Sequence, residues 1–231
     1  MASPLTFLWL EITGKCQLGC AHCYADSGPR GSHGVMTTSD WCRVIDESTT
    51  LGIEMVQFIG GEPTMHPGLP HFVDHALGRG IEVEVYSNLV HVRPELWEAF
   101  TRPGVRLATS YYADSATQHA AITKRRGSHA RTKSNIVEAL RRSIPLRVGM
   151  VDVHDDQRVD EPAMSWSPWA CGRSDTTGYG RSVAVSARKR PTSANSAETA
   201  RPASWPCLRR VPSGRACSPA GCRSATYASN H

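Results

Sequence analysis

Long apolar runs are missing from this chain. No stretch approaches the ~20 residues that a helix needs to span a bilayer, so a helical membrane protein is excluded and no membrane partner is expected. A basic leader is missing as well. Residues 5–10 are apolar but few, have no basic lead-in and run straight into Glu11, which predicts a buried strand and not an export signal. The expected compartment is the cytoplasm.

Core-forming residues nearly vanish after residue 159. The last 72 residues hold a single leucine, Leu208, and no isoleucine or phenylalanine, against 12 alanines, 12 serines, 9 arginines and 7 prolines. Apolar area sufficient to offset chain entropy is absent there. Two readings stay open for residues 156–231: a disordered low-complexity tail, or the out-of-frame translation of a GC-rich gene, which is rich in these same residue types. The tail also misleads on charge. The chain carries +5, yet residues 160–231 hold 10 basic and 4 acidic side chains, so residues 1–159 sit near −1. The folded part has no nucleic-acid footprint, and no nucleic-acid partner is expected.

What is present is a compact set of signals in the first 155 residues. Strand-like runs at 5–12, 54–59, 81–86, 104–109 and 146–152 alternate with helix-like segments at 36–51, 68–78, 94–100 and 130–142. Thr37, Thr38 or Ser39 suits the cap of the first helix and Pro94 the first turn of the third. Strands separated by helices of this length imply βαβ units, a parallel sheet and right-handed crossovers, hence an α/β fold. Ligands in such folds sit beyond the carboxyl ends of the strands.

The chain has eight cysteines, and three of them, Cys16, Cys20 and Cys23, crowd into the loop after the first strand. A disulfide framework is not expected in a chain without an export signal. Three thiolates from one short loop can each hold one iron of a cubane and leave the fourth iron open. The same thiols with His22 or His33 would also make a zinc site, although zinc usually takes C-x2-C with a distant second pair. A second motif, Gly60-Gly61-Glu62-Pro63-Thr64, ends the second strand, where glycines let backbone approach a ligand closely. Polar residues close the later strands: Tyr86-Ser87-Asn88 at the third and Ser110 just after the fourth. Turn formation and capping are the plainer explanation for these. Cys42 reads as a small core residue.

The C-x3-C-x2-C spacing early in the chain, with the Gly-Gly-Glu sequence at the next strand end, resembles the radical S-adenosylmethionine (SAM) superfamily over roughly residues 5–152. The resemblance implies a partial (β/α)6 TIM-like barrel, here incomplete at its C-terminal end because a sixth strand is not evident, and a bare edge beside the fifth strand. It implies a [4Fe-4S] cluster on Cys16, Cys20 and Cys23, whose open iron binds SAM and cleaves it reductively to a 5′-deoxyadenosyl radical that abstracts hydrogen from substrate. It places Gly60, Gly61 and Glu62 at the methionine amino group of SAM, and Ser87, Asn88 and Ser110 at its ribose and carboxylate. An arginine of the segment 122–128 could pair with that carboxylate. It further implies a peptide or other biosynthetic substrate, such as a precursor peptide, and a reductant such as flavodoxin or ferredoxin. Cys171, Cys207, Cys217 and Cys222 lack the framework of the cysteine-rich SPASM domain that peptide-modifying members append. An inactive truncated relative, or a zinc-binding module, is the alternative.

Overall fold

The computed structural model describes residues 5–151 and 153, and the backbone of 173–177 and 180–185. Five strands form a parallel sheet in chain order: β1 (Phe7–Thr13), β2 (Met55–Gly60), β3 (Glu82–Tyr86), β4 (Val105–Tyr111) and β5 (Leu146–Met150). Helices α1 (Thr38–Thr50), α2 (Leu69–Gly78), α3 (Pro94–Phe100), α4 (Ala116–Thr123) and α5 (Ser128–Arg141) fill the crossovers, and a 3-10 turn, Pro63–Met65, follows β2. This is the α/β barrel architecture expected of the sequence.

Local chemistry sets the boundaries. Thr37 caps α1 in a reciprocal box: its hydroxyl accepts from the Asp40 amide at 3.2 Å, and the Asp40 carboxylate accepts from the Thr37 amide at 2.9 Å. Pro94 opens α3, where its missing N–H costs nothing. One helix escapes the sequence reading. In α4 apolar residues are not gathered on one face, so the 3.6-residue period that reveals other helices is weak. A side-chain cap from Ser115 to the Gln118 amide starts it, and left-handed Lys124 (φ 53°) ends it.

The two faces of the sheet differ sharply. Alternate strand residues, among them Ile12, Val56, Phe58, Val83, Val85, Leu107 and Val148, pack with Ile45, Phe72, Leu96, Phe100 and Ile136 of the helices into one core. The opposite, concave face is polar. There the Glu84 carboxylate is almost fully buried, salt-bridged to Arg147 (2.8 Å) and Arg106 (3.3 Å), and bonded to the Gln57 amide. Four strands thus meet at one charge cluster, and Arg147 also lies over the Tyr86 ring, 5.5 Å from its centre.

No sixth parallel strand stands among the described residues. The edge of β5 is nevertheless not bare. Strand β7 (Gly180–Val185) pairs with it antiparallel, Leu146 opposite Val185 and Met150 opposite Arg181, and β6 (Arg173–Thr177) pairs antiparallel with β7. A hairpin takes the place of the parallel strand and satisfies the outer backbone groups of β5. The four later cysteines and the rest of the expected tail lie outside the described residues.

Candidate metal and cofactor site

The loop after β1 folds back on its own strand. Gly14 N–H donates to Ser32 (2.9 Å), Cys16 N–H to Gly28 (3.0 Å), and Lys15 bridges Gly28. Its far side is tied to the end of α4: Gly19 N–H to the Thr123 carbonyl (3.2 Å), Ala21 N–H to that of Ile122 (3.3 Å). Arg125, from the basic segment noted in the sequence, donates to the Gln17 carbonyl at 3.1 Å. That arginine therefore braces the cysteine loop.

Two of the three thiols meet hydrogen-bond donors. Cys16 Sγ accepts from the Leu18 amide (3.4 Å) and the Asn88 side chain (3.6 Å), and Cys23 Sγ from the Ser27 amide (3.4 Å). Cys20 is half-buried. Cys16 is buried, and that burial pushes its thiol up to about 12, with the negative charges of Glu62, Cys20 and Cys23 adding to the shift. Burial also raises Cys20, with Cys23 second. Three soft donors that repel one another as thiolates, two of them already receiving hydrogen bonds, suit a cationic iron–sulfur centre. Among the described residues, no group of three or more His, Cys, Asp or Glu side chains is drawn together closely enough to hold a single metal ion. His33, a ligand in the zinc reading, is bonded at Nδ1 to Thr13 (2.8 Å), and the His22 ring packs edge-on to Tyr112 at 4.9 Å.

Gly60 and Gly61 give space to the protein's own backbone. A Cβ at Gly60, where φ is +127°, would lie 2.3 Å from the Thr13 carbonyl oxygen, and one at Gly61 would lie 2.5 Å from that of Lys15. Gly61 and Glu62 donate their amides to those same carbonyls at 2.7 and 2.8 Å. The turn thus clasps the root of the cysteine loop.

Glu62 is fully buried and gathers the end of β3. Its carboxylate accepts from Ser87 Oγ (2.7 Å), Thr64 Oγ1 (2.7 Å), the Thr64 amide (3.1 Å) and the Asn88 amide (2.8 Å). Burial pushes the carboxyl up while these donors pull it down. Beyond it, Leu89 holds φ +53°, a strained value for leucine. The surroundings enforce it: Ser87 Oγ accepts the Leu89 amide (3.0 Å), while Thr132 and Asn135 of α5 donate to the Asn88 and Leu89 carbonyls (2.9 and 2.7 Å). Asn88 in turn accepts from Gln17 Nε2 at 2.9 Å. The structure therefore brings Cys16, Gly60, Gly61, Glu62, Ser87 and Asn88 into one connected group. Ser110 lies within β4, not after it, bonded to the Tyr86 hydroxyl at 2.9 Å. Gln17, Tyr112, Thr132 and Asn135 escaped the sequence reading, and Thr64 entered it only as the last residue of the glycine motif. Of the missed residues only Tyr112 carried a signal, since it sits two residues past Ser110 and shares its face of the strand.

Behind Tyr112 sits His119, 1% exposed, its ring 5.5 Å from that of Tyr112 and its Nδ1 3.1 Å from Ser128 Oγ. Burial, with His129 second, lowers its pKa from 6.5 to about 4. The folded state thus resists protonation that the unfolded chain accepts, and the stability this gives is present above pH 6.5 and lost as pH falls toward 4. The loss amounts to about 3 kcal/mol. Urea unfolding of the metal-free chain at pH 7.5 and pH 4.5 should show it, and His119→Asn should flatten the dependence.

The sequence model of the radical SAM superfamily matches residues 10–162, and the chain belongs to that family. It is 33% identical over 112 residues to mycofactocin maturase MftC of Mycobacterium tuberculosis, covering 48% of this chain and 26% of MftC. It is 25% identical over 177 residues to the PqqA peptide cyclase of Granulibacter bethesdensis, covering 75% and 46%. The chain thus spans from a quarter to just under half of these relatives. The fold resembles that of Streptococcus suis SuiB bound to S-adenosylmethionine, at a TM-score of 0.57 and 16% identity over 63% of this chain and 34% of SuiB.

Proposed function

We propose that residues 1–155 form the core of an enzyme that cleaves SAM reductively and abstracts hydrogen from a peptide, with residues 156–231 as an appended segment. The observation that carries the reading is the trio of thiols, two of them hydrogen-bonded, rooted on the Gly60–Gly61 turn. Cys16, Cys20 and Cys23 would hold a [4Fe-4S] cluster, which when bound supplies the electron for SAM cleavage. Gly60, Gly61, Asn88 and Ser110 would present the wall that SAM meets. Glu62 and Ser87, buried and bonded to each other, would shape that wall from behind. The maturase and cyclase relatives support a precursor-peptide substrate. Flavodoxin or ferredoxin is the reductant in this reading, and the cytoplasm the compartment. No helix among the described residues is long and apolar enough to cross a membrane.

The test is anaerobic reconstitution with iron and sulfide, then SAM and dithionite. Brown protein that releases 5′-deoxyadenosine is expected. Iron-free protein that instead carries zinc overturns the reading, and a reducible cluster without 5′-deoxyadenosine release identifies an inactive relative.

A further inference from the structure

The sheet ends on β1. At its other side the outer groups of β5 are taken by β7, but among the described residues no strand pairs with the outer edge of β1. The Thr6 carbonyl accepts the Met55 amide at 3.1 Å, and the register on β2 runs from Phe7 opposite Met55 to Glu11 opposite Ile59. In a parallel ladder the two backbone groups of a residue point to one side, and successive residues alternate. Thr6, Leu8 and Leu10 therefore turn theirs to β2, while Phe7, Trp9 and Glu11 turn theirs outward. The open stretch has a definite end. From Gly14 onward the returning cysteine loop takes the edge, with Gly14 N–H donating to Ser32 and Gly28 N–H to Gly14. Edges that must stay unpaired are blunted by proline, lysine or a bulge. Residues 7–13 hold no proline or lysine, and their one irregularity falls at the end, between Glu11 and Thr13.

Apolar side chains gather at the same edge. Seven large ones are exposed among the described residues, and five of them, Leu5, Phe7, Trp9, Tyr24 and Val35, belong to this strand, its lead-in or the loop beside it. Trp9 is 66% exposed, and its ring meets that of Phe7 edge-on at 6.2 Å. Such a patch marks a binding surface. Past Trp9 the edge turns acidic. The exposed Glu11 carboxylate accepts the Tyr24 hydroxyl at 2.8 Å and lines a cavity of about 220 Å³ with Thr13, His33, Val35 and Trp41. We propose that this edge docks an extended peptide as an added strand, with an apolar residue against Trp9 and a basic residue facing Glu11; that this peptide is the substrate rests on the peptide reading above. In strand addition main-chain bonds give affinity and alternate side chains give specificity. Trp9 and Glu11 are two residues apart on one face, so the apolar and basic residues of the peptide are spaced by two as well. Because β1 feeds directly into the cysteine loop, a peptide on this edge is led toward Cys16.

The experiment is fluorescence anisotropy on the full chain, both reconstituted and metal-free. The probe is a short labelled peptide of alternating valine and threonine, with lysine in the last place of the valine row. Two more versions carry N-methyl groups on one or the other alternate set of amides. Only every second amide of an added strand faces β1, so one methylated version should lose binding and the other keep it. Trp9→Ala should weaken binding about tenfold. Glu11→Gln should weaken it about threefold for the lysine peptide and not at all for a peptide with threonine there. Val137→Ala, which removes an exposed apolar side chain of α5, should change nothing. Binding that ignores Trp9→Ala, or that survives either methylation, overturns the docking site and leaves the peptide reading standing. Self-association that Trp9→Ala abolishes, with no peptide bound, gives the edge to a second copy and overturns the proposal too. A chain that releases 5′-deoxyadenosine but binds none of the peptides refutes the docking site alone, whereas Trp9-dependent binding by a chain that takes up no iron refutes only the cluster reading.

Discussion

Protein carrying Cys16→Ser is expected to leave anaerobic reconstitution colourless, with bound iron reduced at least about tenfold. Cys16 sits deepest of the three, 7% exposed, and receives both the Leu18 amide and the Asn88 side chain. Burial raises its thiol to about 12, so at neutral pH only a metal can displace the proton. A serine hydroxyl in the same place holds its proton far more tightly and offers a hard oxygen where iron in a cubane is held by thiolate. Cys20→Ser and Cys23→Ser should behave alike, since a cubane bound through three sulfurs has no spare ligand. Cys42→Ser is the comparison. Its sulfur lies 3.5 Å from His71 Nε2 beside the helix core, well away in the chain from the loop, and iron loading should persist. Full iron retention in C16S would remove the basis for the site.

Gly60→Ala should be a severely damaging single-methyl change. The new Cβ would meet the Thr13 carbonyl oxygen at 2.3 Å in a residue with φ +127°, and backbone on both sides leaves no flexible group to give way. Separating β1 from the turn would break the 2.7 Å and 2.8 Å bonds from Gly61 and Glu62 to Thr13 and Lys15. The expected cost is about 3 kcal/mol or more. Cys16 follows Lys15 directly, so iron loading should fall with it. Gly80→Ala separates strain from crowding: φ is +77° there with nothing within 4 Å of the added carbon, and the cost should stay near ~1 kcal/mol. Urea titration of the metal-free chains measures both. Similar values for the two variants would show that the clasp contributes nothing.

The barrel was legible because its strands announce themselves locally. Residues 81–86 alternate, Thr37 and Asp40 make their cap within four residues, and Pro94 marks a helix start on its own. The cysteine spacing and the Gly-Gly-Glu sequence are likewise local. What could not be read are contacts between residues distant in the chain. Glu62 looked like a ligand contact because nothing nearby shows that Ser87, 25 positions later, will bond to it. Gly60 and Gly61 signal a close backbone approach, but not that the chain's own Thr13 and Lys15 make one. Helix α4 was hidden because its apolar residues do not share a face, and with it went the anchor of the cysteine loop at Ile122 and Thr123.

The strict chain-order pairing of β1 through β5 has a consequence for biosynthesis. Each strand docks on the one made just before it, so the sheet can grow strand by strand as the polypeptide emerges. The cysteines leave the ribosome early, with β1, yet the groups that steady the far side of their loop come from residues 122–125. The root of the loop can thus be clasped while the chain is still being made, whereas its far side is tied down only once α4 has docked.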